Sequence, residues 1–174
     1  MKLKKVQITP MNGKDELRFK IKNIRDIPGF RMVTSLGVIR DSDSNPQDTF
    51  KSICDSLKYA RLPSPSRCLE TVGEHPKVTV MLMPKENTPG MLEDLCLESV
   101  RTDPAFSCME KYFECLESKE IPRPGEMSKA KVHVFLASRP KSDVRLGVAA
   151  EKKYWPFDCE VFEELKAFLR VVTA

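Results

Sequence analysis

The chain has 174 residues, 41% hydrophobic and 31% charged, which suits one globular α/β-sized domain that buries its core without disulfide or metal staples. No apolar run approaches the roughly 20 residues of a membrane helix, and no signal-type apolar segment follows the basic start Met1-Lys2-Leu3-Lys4-Lys5. The formal net charge of +4 is compatible with nucleic-acid binding, although a mixed solvated surface explains it more simply.

Residues 6–9 form a short strand candidate, closed by Pro10 and followed by an Asn12-Gly13 turn. A helix is expected over 14–27, with Leu17, Ile21 and Ile24 at i, i+4 and i+7 and a stripe of Lys and Arg on the solvated side. Pro28-Gly29 ends it. Residues 32–41 read as a second strand. Its unbroken apolar centre, residues 36–39, suits a strand covered on both faces. Asn45 then offers an N-cap, with Pro46 at the first helical position and Asp48 in the first turn. That helix is expected to reach residue 60 and to bury Phe50, Ile53, Cys54 and Leu57.

Residues 62–74 form a loop rich in Pro and Ser, 77–83 a third apolar strand, and 91–100 a further helix. The β-α-β-α-β-α order implies an α/β fold with an open, mainly parallel sheet flanked by helices. The chain reads as a single domain, with a sheet-containing core over 1–100 and a mainly helical extension over 101–174. In that extension Asp103 caps a helix that turns Phe106, Met109, Phe113 and Leu116 inward. Pro122, Pro124 and Gly125 break the chain. Residues 128–138 fit both strand alternation and helical spacing, and helix is the favoured reading. Asp158 is expected to cap a last helix carrying Val161, Phe162, Leu165, Phe168 and Leu169.

None of the six cysteines forms a C-x-x-C pair. Cys54, Cys96 and Cys115 lie beside apolar helix positions and read as buried reduced thiols of a cytoplasmic protein. Zinc is disfavoured, because ligand spacing is missing and only His75 and His133 are available. The chain has no G-x-S-x-G elbow, Walker loop or G-x-G-x-x-G after a strand. The aromatic run Tyr154-Trp155-Pro156-Phe157 reads as packing against the last helix rather than as a base-stacking platform.

The most informative segment is Arg40-Asp41-Ser42-Asp43. Two aspartates one residue apart close the second strand, where ligands of open α/β sheets collect. Such a pair suits Mg²⁺, which takes hard oxygen ligands, and points to phosphoryl or phosphodiester chemistry. The competing reading is an ordinary turn with local Asx hydrogen bonds. Three further residues are candidates at the same sheet end. Glu93 follows the third strand and could complete the acid set. Lys14 follows the first and could meet a phosphate. Arg40 could do so too, or more simply pair with Asp43.

Residues 35–43, Phe50 and Ile53, the run Pro89-Gly90-Met91-Leu92-Glu93-Asp94-Leu95-Cys96-Leu97, and the closing stretches 146–150, 153–155 and 165–169 together resemble an uncharacterised prokaryotic family related to Toprim domains. The resemblance implies an Asp-x-Asp that holds Mg²⁺, here Asp41 and Asp43, and a glutamate that acts as general acid or base. In those relatives the glutamate sits in a Glu-Gly-Lys-Asp motif on an earlier strand–helix unit. Against that pattern this chain starts one such unit later. Asn12-Gly13-Lys14-Asp15 echoes the motif with Asn12 in the glutamate's place. The expectation is either that the acid lies upstream of Met1 or that this member has lost it, with Glu16 and Glu93 as substitutes.

Three functions follow. The first is Mg²⁺-dependent cleavage or transfer of a nucleic-acid phosphodiester. The second is a module of the same fold without turnover, binding nucleic acid or a partner protein through the helical part, with homo-oligomerisation an option. The third is a haloacid-dehalogenase-like phosphatase with Asp41 as nucleophile, weakened by Asn45 where Thr or Val normally stands.

Overall fold

The computed structural model describes residues 6–11 and 16–174. The chain divides into two compact units, Met1–Gly90 with Glu164–Ala174, and Met91–Glu163. The break after Gly90 falls ten residues before the division expected from the sequence, and the chain returns to the first unit at its end.

In the first unit, residues 6–10 are irregular rather than a strand. Ile8 stands 80% exposed, so the apolar pair that suggested a strand has no face to bury and no ladder partner among the described residues. α1 spans Leu17–Asp26 and buries Leu17 and Ile21. Gly29 takes a left-handed turn (φ 92°) into a 3-10 turn at Phe30–Met32, where Phe30 is buried. Met32 is 82% exposed, and β1 therefore starts later than expected, at Ser35–Asp41.

α2, Pro46–Tyr59, begins as its sequence dictates. Asn45 Oδ1 accepts the Asp48 N–H at 3.1 Å, and Pro46 opens the first turn, where its missing donor costs nothing. The loop expected over 62–74 contains a two-residue strand, β2 (Thr71–Val72). β3 runs over Lys77–Met83, as its apolar run implies.

The sheet order is β1-β3-β2. β1 and β3 are parallel, paired from Ser35–Lys77 to Asp41–Met83. β2 runs antiparallel to β3. The architecture is thus α/β, with a three-stranded mixed sheet and seven α-helices among the described residues. On one face Val38, Val78, Val80 and Leu82 join Leu17, Ile21, Ile53 and Leu57 in one core. The other face receives the end of α7 (Glu163–Val172) at Gly37. A Cβ there would lie 2.6 Å from Phe168 Cζ, so only glycine permits this approach.

The second unit is helical, as expected: α3 (Leu92–Ser99), α4 (Pro104–Ser118), α5 (Met127–Ala137) and α6 (Leu146–Glu151). Asp103 caps α4 by accepting the Ala105 N–H at 2.8 Å. Met109 is the buried residue of α4; Phe106, Phe113 and Leu116 are half-buried, less than the pattern implied. Trp155 is buried and stacks on Phe135 of α5, with ring centroids 5.5 Å apart. Phe157 meets Phe162 in the turn ahead of α7. Asp158 caps nothing, because a 3-10 turn at Glu160–Phe162 intervenes and Cys159 precedes it. Cys54, Cys68 and Cys96 are buried thiols, whereas Cys108 and Cys115 are exposed; Cys115 lies on the solvent side of α4, contrary to expectation.

Candidate functional site

Because β1 and β3 are parallel and Asp41 pairs with Met83, the 41–43 turn and the 84–90 loop leave the sheet at the same carboxyl end. The Ser42 N–H donates to the Met83 carbonyl at 2.9 Å, extending the ladder one step. Ser42 itself is fully buried. Its Oγ donates to the Thr88 carbonyl at 2.6 Å and leans on that of Gly90 at 3.2 Å. The Asp43 and Gly90 backbones exchange two hydrogen bonds, of 2.9 and 2.7 Å. From the helix side, Thr49 Oγ1 donates to the Ser42 carbonyl at 3.1 Å.

The turn is therefore held by backbone groups and two hydroxyls. Ser42 points inward, and Asp41 and Asp43 flank it. Asp43 adopts a left-handed conformation (φ 53°), a region that Asp tolerates better than most side chains.

Arg40 does not pair with Asp43. Strand alternation sends its side chain to the face of Val38 and Leu82, opposite to Asp41. No described carboxylate forms an ion pair with it, and its Nη1 is buried without a hydrogen-bond partner. Lys14, with Asn12 and Asp15, lies outside the described residues.

Glu93 belongs to the second unit, half-buried in the first turn of α3. Its neighbour Asp94 is engaged: one carboxylate oxygen accepts the Met91 N–H at 2.8 Å, and the other accepts the Ser128 hydroxyl. Burial, with the charge of Glu93 second, pushes the Cys96 thiol up to about 12.

Two carboxylates fit Mg²⁺, which keeps several waters and binds through one or two acids. Among the described residues no group of three or more His, Cys, Asp or Glu side chains is placed to hold a metal.

A family described as "Protein of unknown function (DUF3226)" matches residues 1–173. The chain belongs to that family. No curated protein and no solved structure matches it.

The sequence pattern of this DUF3226 chain shows the aspartates but not the groups that hold them. Ser42, Thr49 and Thr88 are common polar residues, and their roles exist only once β1, α2 and the 84–90 loop meet. Also unforeseen is a groove of about 180 Å³ in the second unit. Phe113, Leu116, Ile121 and Met127 line it, and the ion pairs Glu110–Lys131 (2.8 Å) and Glu117–Arg123 flank it. Its signal was present in the half-apolar face of α4 and the Pro122–Pro124 break. No helix is long and apolar enough to cross a membrane among the described residues.

Proposed function

We propose that the carboxyl end of the β1–β3 pair is the working site of this DUF3226 protein, a two-carboxylate Mg²⁺ site for phosphodiester chemistry on nucleic acid. What supports the reading is the buried Ser42, whose Oγ donates to the Thr88 carbonyl and so holds the turn that carries Asp41 and Asp43. Asp41 and Asp43 would hold the ion. A bound Mg²⁺ supplies charge stabilisation at a phosphoryl oxygen and a more acidic water. The resemblance to Toprim-like proteins implies an acid or base as well, with Glu16 and Glu93 as substitutes for the motif's glutamate. Measuring Mn²⁺ or Mg²⁺ binding by calorimetry, and cleavage of labelled oligonucleotides with and without EDTA, tests this. Wild type should bind and cleave, and the Asp41→Asn, Asp43→Asn pair should do neither. Cleavage that survives in that pair rejects the assignment.

A second reading keeps nucleic-acid binding and drops turnover. The sequence favours it, since Asn12 stands where the glutamate of the Toprim-like motif would be. It is distinguished by salt-dependent binding without any cleavage.

A further inference from the structure

Helix α1 carries a basic face that neither the core nor the acidic turn uses. Leu17 and Ile21 anchor its inner side. Outside, Arg18, Lys22 and Arg25 recur at i, i+4 and i+7, which places them in one row along the helix. None of the three forms an ion pair among the described residues. Lys20 differs: it pairs with Glu16 at 3.3 Å and donates to the Pro10 carbonyl at 2.8 Å, so it ties down the preceding segment.

One aromatic ring stands against the row, and a second, Phe19, follows Arg18 about 100° around the helix. The Arg18 guanidinium lies 3.7 Å from the centroid of Tyr59 on α2, and Lys22 Nζ lies 5.7 Å from it. Tyr59 is 41% exposed, and Phe19 is 61% exposed. Lys58 adjoins Tyr59, while Asp26 and Asp55 are the acids on neighbouring turns.

We propose that this face binds single-stranded nucleic acid, with Arg18, Lys22 and Arg25 on phosphates and Phe19 and the Arg18–Tyr59 stack under bases. Unneutralised cations spaced along a helix complement a phosphate chain, and exposed aromatic or guanidinium planes accept the faces of unpaired bases. A duplex hides those faces. An anionic bilayer would require a broad apolar face to insert, and the apolar side of α1 is already committed to the core. The inference rests on the nucleic-acid reading above for its class of ligand, but it uses none of the acidic residues.

The test is fluorescence anisotropy of a labelled oligothymidylate of about 20 nucleotides with the full chain in EDTA. Each phosphate contact contributes about 0.7 to the slope of log K against log salt, so three cations give a slope near −2. The Arg18→Ala, Lys22→Ala, Arg25→Ala variant should lose that slope and bind about 100-fold more weakly near ~0.1 M salt. Phe19→Ala should weaken binding about tenfold and leave the slope intact. Arg18→Lys, Arg25→Lys should keep the slope, which guards against a folding defect in the alanine variant.

No binding by wild type, wild-type affinity in the alanine variant, or capture by phosphatidylserine vesicles in place of the oligonucleotide overturns the proposal. Asp41→Asn, Asp43→Asn should bind as wild type does. Loss of metal-dependent cleavage and loss of strand binding are therefore separable results.

Discussion

Ser42 Oγ donates to the Thr88 carbonyl at 2.6 Å across 46 residues of chain, and the hydroxyl has no exposure to water. It is a side-chain link between the acidic turn and the loop leaving β3. Replacing Ser42 with Ala removes the donor to the carbonyl of Thr88, an exposed residue that water can reach. The expected cost is about 0.5–1.5 kcal/mol, read as a lower urea midpoint. If the turn is the Mg²⁺ site, calorimetry should also show weaker binding, because the aspartates lose the frame between them. Unchanged stability in Ser42→Ala would mean that the backbone bridge to Gly90 suffices.

Asp43 separates conformation from chemistry. Its φ of 53° costs most side chains about 1–2 kcal/mol, and glycine nothing. Asp43→Gly should therefore fold within about 1 kcal/mol of wild type yet bind no Mg²⁺ above background. Asp43→Ala should lose both stability and binding. If Asp43→Gly still binds Mg²⁺ as wild type does, the carboxylate is a turn residue and the metal assignment falls.

The parts that the sequence revealed are those where local chemistry and tertiary packing agree. The β3 run is apolar at Val78 and from Val80 to Met83, on both alternating sets of positions, and it became a strand buried on both sides. Asn45-Pro46 and Asp103 are start signals that act through their own backbone neighbours. The failures have one cause. β2 is two residues long and exists through its pairing with β3, so its loop carries no period. Residues 6–9 looked strand-like, but a strand needs a neighbour, and none is present among the described residues. Asp158 has the right side chain for a cap, yet the next turn is 3-10. At the candidate site the acids were legible as residue types, whereas Arg40 stands at a strand position that faces the α1–α2 core, which its sequence neighbours do not show.

Gly37 is the contact point between β1 and α7. A Cβ there would meet Phe168 Cζ at 2.6 Å and Val172 Cγ2 at 2.9 Å. Gly37→Ala should destabilise by about 1–3 kcal/mol through overpacking. Shortening the obstructing ring in Gly37→Ala, Phe168→Leu should recover part of that loss, which a double-mutant cycle in urea would measure. Additive losses would place the strain in the strand backbone rather than against α7.

Alkaline pH should unfold the protein through its buried thiols. Burial pushes Cys68 up from 9.0 to about 11 and Cys96 to about 12. Well below pH 9.0 both thiols are protonated, folded or not, and their contribution is complete. Above it the unfolded chain releases its protons first, so stability falls as pH rises from 9.0 toward 11–12. Urea midpoints at two pH values on either side of that threshold would show the fall, and Cys68→Ala, Cys96→Ala should flatten it. Thiol labelling of native protein should reach Cys108 and Cys115 first and leave these two until unfolding.

The acid limb has a different origin. Asp103 caps α4 through Ala105 and lies 2.9 Å from Arg139 Nη2, whose guanidinium is also 4.1 Å from the centroid of Phe135. Arg139 first, then the Ala105 N–H, hold the Asp103 carboxyl below its ordinary 3.8, against a smaller opposing effect of burial. A depressed carboxylate stabilises the fold above its unfolded value and loses that contribution as pH falls through its folded one. Stability should therefore decline below pH 3.8. Asp103→Asn keeps a capping oxygen and removes the charge, so it should cost under about 1 kcal/mol at neutral pH and give a shallower acid limb. Asp103→Ala loses the cap as well, and about 1–2 kcal/mol more. Arg139→Met leaves the cap and should shift the acid limb to higher pH, because the carboxyl then titrates nearer its ordinary value. If Arg139→Met leaves the acid limb where it was, the pair contributes nothing and the cap alone stabilises α4.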